Sequence, residues 1–175
     1  MRSIEPIAKF DLAFSLFCLQ HKFAHPASRI SKAVSHTGDG HLYAMFGVMA
    51  YWFGGLEGKQ FLIVGLLAFS IERPIYWLTK NLFKRRRPHE LSQLVTSFVT
   101  PFDRYSLPSG HTAAAFLITT VVSVFYADVA LFAYLWAILI AGSRILLGVH
   151  FFTDVVLGAL LGIACAHLAL SVMGV

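Results

Sequence analysis

Three short polar stretches of this sequence, residues 80–88, 108–111 and 143–154, carry the residue types that phosphate chemistry uses. They hold lysine, arginine, serine, histidine and aspartate, and each stretch lies at the end of an apolar segment. Ionisable side chains are costly beside a membrane-spanning segment and usually mark a functional site there. Cations, histidines and a carboxylate together match what phosphoryl transfer needs: charge stabilisers, a nucleophile and an acid.

The first stretch places two cations seven positions apart, Lys80 and Arg87. Lysine supplies a compact charge, whereas the planar guanidinium of arginine can hold two phosphate oxygens at once. Pro88 disfavours helical geometry at Arg87, so we expect a helix to end there. The basic residues between them, Lys84 to Arg86, are as well explained by contact with anionic lipid headgroups as by catalysis.

The second stretch, Pro108 to His111, comes immediately before an apolar segment that predicts a helix. Free backbone N–H groups and the helix dipole favour an anion at such a position, and Gly110 lets the backbone approach it closely. Ser109 alone is typical of a helix N-cap. His111 adds a titratable group that a cap does not need, which favours a functional site.

The third stretch holds Arg144, His150 and Asp154 at the ends of two apolar segments. Asp154 follows His150 by four positions, so on a helical turn its carboxylate can accept the imidazole N–H and fix the tautomer. The other ring nitrogen is then free to attack. Three isolated histidines are interpreted as hydrogen-bonded structural residues: His21, His25 and His167.

The composition requires a membrane around these stretches. The chain has 175 residues, of which 57% are hydrophobic and 13% charged, and its mean hydropathy of +0.69 is too high for a soluble domain of this size. We therefore predict an all-α integral-membrane helical bundle of about five to six spans, each of about 20 residues. It forms one domain over residues 1–175, with an interfacial N-terminal segment at 1–40 and a motif-bearing core at 60–175.

The order of apolar segments predicts which polar stretches meet. The loop 81–110 and the junction 150–154 are separated by two spans, so they lie on the same membrane face, opposite to the C-terminus. The net charge of +5 comes without the basic and aromatic surface pattern of a nucleic-acid module, so we expect no nucleic-acid partner. Cys18 and Cys165 lie far apart in apolar segments and are interpreted as buried small residues.

The three stretches fit the tripartite pattern K-x6-RP, PSGH and SR-x5-H-x3-D without a gap. The chain thus resembles the type 2 phosphatidic acid phosphatase (lipid phosphate phosphatase) family, whose motif vanadium haloperoxidases and glucose-6-phosphatase-like enzymes share. The resemblance covers the chain from about residue 60 to the C-terminus. Residues 1–59 match that family only in general layout.

The resemblance implies a role for each motif residue. His150 is the expected nucleophile, which becomes a phosphohistidine, Asp154 its orienting partner and His111 the general acid. The remaining motif residues are expected to form the phosphate cradle: Lys80, Arg87, Ser109, Gly110 and Arg144. No metal or other cofactor is expected, because the sequence lacks a second carboxylate cluster suited to magnesium.

The expected function is therefore hydrolysis of a lipid phosphate in a bacterial inner membrane, surrounded by membrane lipids and without an obligatory protein partner. Candidate substrates are phosphatidate, phosphatidylglycerol phosphate, undecaprenyl diphosphate and phosphorylated lipid A. The family resemblance puts the active site on the periplasmic face, whereas the loop charges alone favour the cytoplasmic one. Two alternatives stay open: a lipid phosphotransferase with the same intermediate, and a non-catalytic anion- or phospholipid-binding membrane protein.

Overall fold

The computed structural model describes residues 5–20 and 22–175, and all regular elements among these residues are helical. The helices are α1 Glu5–Leu19, α2 Ala24–Thr37, α3 His41–Phe53, α4 Gly55–Phe83, α5 Pro88–Leu91, α6 Gly110–Phe125, α7 Ala130–Leu146 and α8 Phe152–Met173. A 3-10 turn, Ala127–Val129, joins α6 to α7. The predicted all-α fold is confirmed. Residues 1–4 and His21, one of the histidines interpreted as structural, lie outside the described residues.

Three helical segments are long and apolar enough to cross a membrane: Gly55–Leu91, Ala127–Leu146 and Phe152–Met173. The shorter α6 is also apolar. Large side chains such as Phe132, Leu139 and Leu160 are exposed on the outer faces of α7 and α8, as a surface in contact with lipid requires. If α6 is counted with these three segments, the remaining spans expected from the sequence would have to be among the shorter helices α1 to α3.

Helix α6 lies at the centre of the bundle and packs against α4, α7 and α8. Its contact with α8 is close enough to require glycine. A Cβ atom on Gly158 would lie 2.6 Å from the Ser109 carbonyl oxygen, and one on Gly162 would lie 2.1 Å from the Ala113 carbonyl oxygen. The two glycines thus let α8 touch the backbone of α6 and bring the first turns of both helices together.

The loop between α5 and α6 lies over the junction between α7 and α8, as predicted. The Phe98 N–H donates to the Leu147 carbonyl at 3.0 Å, and the Arg87 guanidinium donates to the Val149 carbonyl at 2.6 Å. Arg87 itself has an extended backbone, as its neighbour Pro88 predicted. Helix α4 nevertheless ends earlier than expected, at Phe83, where the following residue adopts a left-handed conformation.

Helices α1 and α2 pack against the bundle through α7 and α8. The buried face of α2 consists of small hydroxyl residues, Ser28, Ser31 and Ser35, which allow it to lie close to α7. Each helix also keeps an exposed face. The interfacial membrane position of residues 1–40 stays a prediction.

Candidate active site

A cavity of about 770 Å³ opens among α3, α4 and α6, at the end of the bundle covered by the α5–α6 loop. Five of the eight predicted site residues line it: Arg87, Gly110, His111, Arg144 and His150. The other three, Lys80, Ser109 and Asp154, lie behind this lining and contact it from the buried side. Residues that are distant in sequence therefore meet at one site.

His150 lies in the junction before α8 and only 3% of its surface is exposed. Its Nδ1 atom is 3.7 Å from Asp154 Oδ2 and has no hydrogen-bond partner among the described residues. Burial lowers the pKa of His150 to about 4; the nearby Arg144 and Arg87 add to this effect, and Asp154 opposes it. The imidazole is therefore neutral at physiological pH, the form in which a ring nitrogen can attack an electrophile.

Asp154 reaches His150 by a different geometry from the predicted helical turn. Helix α8 begins at Phe152, so His150 precedes the helix and the prediction of a shared turn is wrong. The Asp154 carboxylate instead accepts the Phe151 N–H at 2.8 Å, which fixes it at the start of α8. It faces the neutral imidazole at 3.7 Å, which is longer than a hydrogen bond.

Arg85 holds the other oxygen of this carboxylate. Its guanidinium donates to Asp154 Oδ1 and to Thr153 Oγ1, both at 2.7 Å, and to Asp11 Oδ2 at 2.5 Å. Asp11 belongs to α1 and is fully buried. Contact with lipid headgroups is therefore the wrong interpretation for Arg85, whereas its neighbours Lys84 and Arg86 are exposed as that interpretation requires.

Asp103, in the α5–α6 loop, joins the two cations of the first stretch. It accepts hydrogen bonds from Lys80 Nζ at 2.6 Å and from the Tyr76 hydroxyl at 2.5 Å, and it pairs with the Arg87 guanidinium. Burial raises the pKa of Asp103, but the bonds from Lys80 and Tyr76 and the charge of Arg87 outweigh it and leave the pKa lowered. Asp103 is thus a carboxylate that keeps both cations in position.

The second stretch leads into α6, and three of its residues have separate environments. The Ser109 hydroxyl shares a 2.9 Å hydrogen bond with Thr112 Oγ1 and is buried, so it stabilises the first turn rather than facing the cavity. Gly110 lies against the Tyr76 ring, where a Cβ atom would approach to 3.0 Å. His111 Nε2 donates to Asp39 Oδ1 at 2.8 Å.

Arg144 connects α7 to α2. Its Nη1 atom donates to Ser35 Oγ at 2.6 Å, and its Nε atom is buried without a hydrogen-bond partner among the described residues. The Nε atom of Arg87 is also buried without a hydrogen-bond partner among the described residues. Since both arginines line the cavity, they are suited to an anion bound between them.

Away from these groups the cavity is apolar. Its wall is formed by aromatic and aliphatic residues of α3, α4 and α6: Tyr43, Phe61, Leu62, Phe69, Ala114 and Ile118. Gly47 and Gly65 leave room along this wall. A molecule with an anionic head and an apolar tail fits both parts of the cavity.

Comparison with known proteins identifies the family and the fold. The sequence model of the PAP2 superfamily matches residues 61–174, a range that contains all eight predicted site residues. The chain is similar to a crystal structure described as the first transmembrane PAP2 type phosphatidylglycerolphosphate phosphatase from Bacillus subtilis. The TM-score is 0.76 and the sequence identity 21%, and the match covers 99% of this chain and 90% of that one. It is also similar to the crystal structure of LpxE from Aquifex aeolicus, with a TM-score of 0.75 and 26% identity. That match covers 93% of this chain and 95% of LpxE.

Proposed function

The chain belongs to the PAP2 superfamily, and on this premise we propose that it is an integral-membrane phosphatase that removes phosphate from a lipid. The observation that carries the proposal is the environment of His150. Its imidazole is buried and neutral at physiological pH, and it lines the same cavity as two arginines, Arg87 and Arg144. A neutral nucleophile beside fixed cations is what attack on a phosphate dianion requires.

In the first step, Nε2 of His150 attacks phosphorus and the bond from phosphorus to the lipid oxygen breaks. The electron pair of that bond goes to the leaving oxygen, which takes a proton from His111. The imidazole of His150 becomes positively charged, and the Asp154 carboxylate beside Nδ1 stabilises it. The products of this step are a phosphohistidine and a lipid alcohol, or a lipid monophosphate when the substrate is a diphosphate.

In the second step, water attacks the phosphorus and the phosphorus–nitrogen bond breaks. His111, now neutral, accepts the proton that water loses, and inorganic phosphate leaves. His150 recovers its neutral form and His111 its acid form, so protons balance over the cycle. Transfer to a second lipid would follow the same course with a lipid hydroxyl in place of water.

Charge on the transferred group is stabilised by the cradle. Arg87 and Arg144 supply guanidinium groups from two sides of the cavity, and the first N–H groups of α6, from Gly110 onward, supply an anion-binding helix end. Lys80 lies behind the lining of the cavity and donates a hydrogen bond at 2.6 Å to the hydroxyl of Tyr76, which lines it. These groups take the place that a divalent metal occupies in many phosphatases.

The apolar wall of the cavity supports a lipid as the substrate. Phosphatidate, phosphatidylglycerol phosphate, undecaprenyl diphosphate and phosphorylated lipid A all combine a phosphate with long apolar chains. We place the enzyme in a bacterial inner membrane with the cavity facing the periplasm. The apolar helices and the two solved membrane relatives support the membrane assignment.

Hydrolysis in detergent tests the proposal. Purified protein is incubated with phosphatidate or undecaprenyl diphosphate in EDTA, and inorganic phosphate is measured. We expect release of phosphate, and inhibition by vanadate, which resembles pentacoordinate phosphorus. Loss of activity on chelation with recovery on adding magnesium would contradict the mechanism. A phosphorylated second lipid in place of free phosphate would identify a phosphotransferase.

A further inference from the structure

The turn between α2 and α3 brings two histidines and an aspartate together at the edge of the cavity. His36 lies in the last turn of α2, Asp39 in the connection and His41 at the start of α3. Gly40, with a φ of +105°, allows the chain to reverse within these few residues. One ligand atom from each of the three side chains lies within 4.8 Å of the other two.

We propose that His36, Asp39 and His41 bind a divalent transition-metal ion of the zinc class, and that the bound ion inhibits the enzyme through His111. Two imidazole nitrogens and a carboxylate oxygen are donors that zinc, nickel and copper ions prefer. Three protein ligands with water in the fourth position form a common zinc geometry. Magnesium and calcium, which take oxygen ligands, fit this set poorly.

The geometry is close to what coordination needs. His36 Nδ1 donates to Asp39 Oδ2 at 2.7 Å, so a metal ion would replace the proton between them. The rings of His36 and His41 have centroids 5.0 Å apart. All three residues are exposed, so an ion can enter and the side chains can turn by the small amount required.

A surface ion pair alone would explain only part of this arrangement. Pairing of His36 with Asp39 involves two of the three residues. The ring of His41 packs against His36, yet it receives no hydrogen bond from the described part of the chain. A shared metal ion gives all three side chains a common role.

Asp39 connects the proposed metal site to the catalytic acid. Its Oδ2 faces His36 and its Oδ1 accepts the hydrogen bond of His111 Nε2 at 2.8 Å. This hydrogen bond holds the His111 ring at the edge of the cavity. A divalent ion coordinated by Asp39 competes with His111 for this carboxylate, so the His111 ring loses the contact that positions it at the cavity.

Metal binding is tested by calorimetry on the full-length protein in detergent, after removal of metals with EDTA. We expect one zinc ion per chain in the wild type and affinity at least about tenfold weaker in His36→Ala and in His41→Ala. His25→Ala, which removes an exposed histidine of the same helix, is the matched control and should bind as the wild type does. Absence of zinc binding, or equal affinity in His41→Ala, would overturn the site.

Inhibition is tested separately, because it rests on the proposed phosphatase function. Hydrolysis of phosphatidate, whose leaving group needs the proton of His111, is followed in zinc buffers, and the rate should fall about tenfold, a usual size for coupling between sites. The zinc concentration at half-inhibition should match the calorimetric value and rise in His41→Ala. Zinc binding without inhibition would overturn the coupling to His111. Absence of hydrolysis in every preparation would overturn the proposed function while leaving the calorimetric result valid.

Discussion

The guanidinium of Arg85 lies 2.7 Å from the Asp154 carboxylate, the group that faces the imidazole of His150. The same guanidinium binds Asp11 of α1. A helix outside the range matched by the superfamily thus supports the site from behind. Arg85 contacts neither the cavity nor a reacting atom, and its proposed role is to position Asp154.

Replacement of Arg85 tests this role. We expect Arg85→Ala to lower kcat by about tenfold to a hundredfold, the range seen when outer partners of functional groups are removed, with a smaller change in KM. Arg85→Lys, which keeps a donor for Asp154, should recover part of the rate. Arg86→Ala is the matched neighbour, because this side chain is exposed, and it should remain close to wild type. Equal rates for Arg85→Ala and Arg86→Ala would contradict the positioning role.

The lowered pKa of His150 predicts a dependence of stability on pH. Its pKa is about 4 in the folded protein against an ordinary value of 6.5, so between these values the unfolded chain binds a proton that the folded chain does not. The free energy of unfolding should therefore decrease as the pH falls from 6.5 to 4, by about 3 kcal/mol from this residue, with the contribution intact above that window.

Thermal unfolding in detergent at about pH 7 and about pH 4.5 measures this effect. The wild type should lose more stability on acidification than His150→Gln, which cannot take up the proton. An identical loss in both proteins would show that His150 is not a buried neutral group in the folded protein.

Gly65 offers a test of the apolar wall as the site of the lipid tail. A Cβ atom there would meet only Ile118 Cδ1, at an ordinary 3.9 Å, so Gly65→Ala should be tolerated. Gly65→Leu projects a larger side chain toward the cavity and should lower kcat/KM about tenfold on a long-chain lipid phosphate. Hydrolysis of a small aryl phosphate should change little. Equal loss on both substrates would place the tail elsewhere.

Lysine substitutions test the two arginines of the cradle. Arg87→Lys and Arg144→Lys keep the charge but lose the planar fork, so kcat/KM should fall about a hundredfold in each, with weaker inhibition by vanadate. Lys84→Ala changes an exposed cation instead, and its small effect should shrink at high salt. A near-normal rate in either arginine variant would remove that residue from the cradle.

The sequence predicted the elements of the site because the signals involved are local. Pro88 indicated the extended backbone of Arg87, and Ser109 followed by an apolar segment indicated the start of a helix. Counting apolar segments predicted that the loop before α6 lies on the same membrane face as the junction before α8. Each of these inferences depends on a few adjacent residues or on the order of spans.

The contacts that sequence reasoning missed join residues far apart in the chain. Arg85 and Asp11 are separated by 74 positions, and neither neighbourhood has a pattern that indicates the other. Asp103 lies in a loop without periodicity, so its contact with Lys80 could not be predicted. The predicted geometry of Asp154 was wrong. A spacing of four residues suggests that His150 and Asp154 share a helical turn, whereas α8 begins only after His150.

The central claim is that His150 carries the phosphate during turnover, and rapid-quench labelling tests it most directly. His111→Ala, which lacks the acid but not the nucleophile, is mixed with a labelled aryl phosphate whose leaving group departs without a proton. We predict that label accumulates on His150, as located by mass spectrometry, and that His150→Ala remains unlabelled. Turnover of the aryl phosphate with no phosphate bound to His150 at any quench time would contradict the claim.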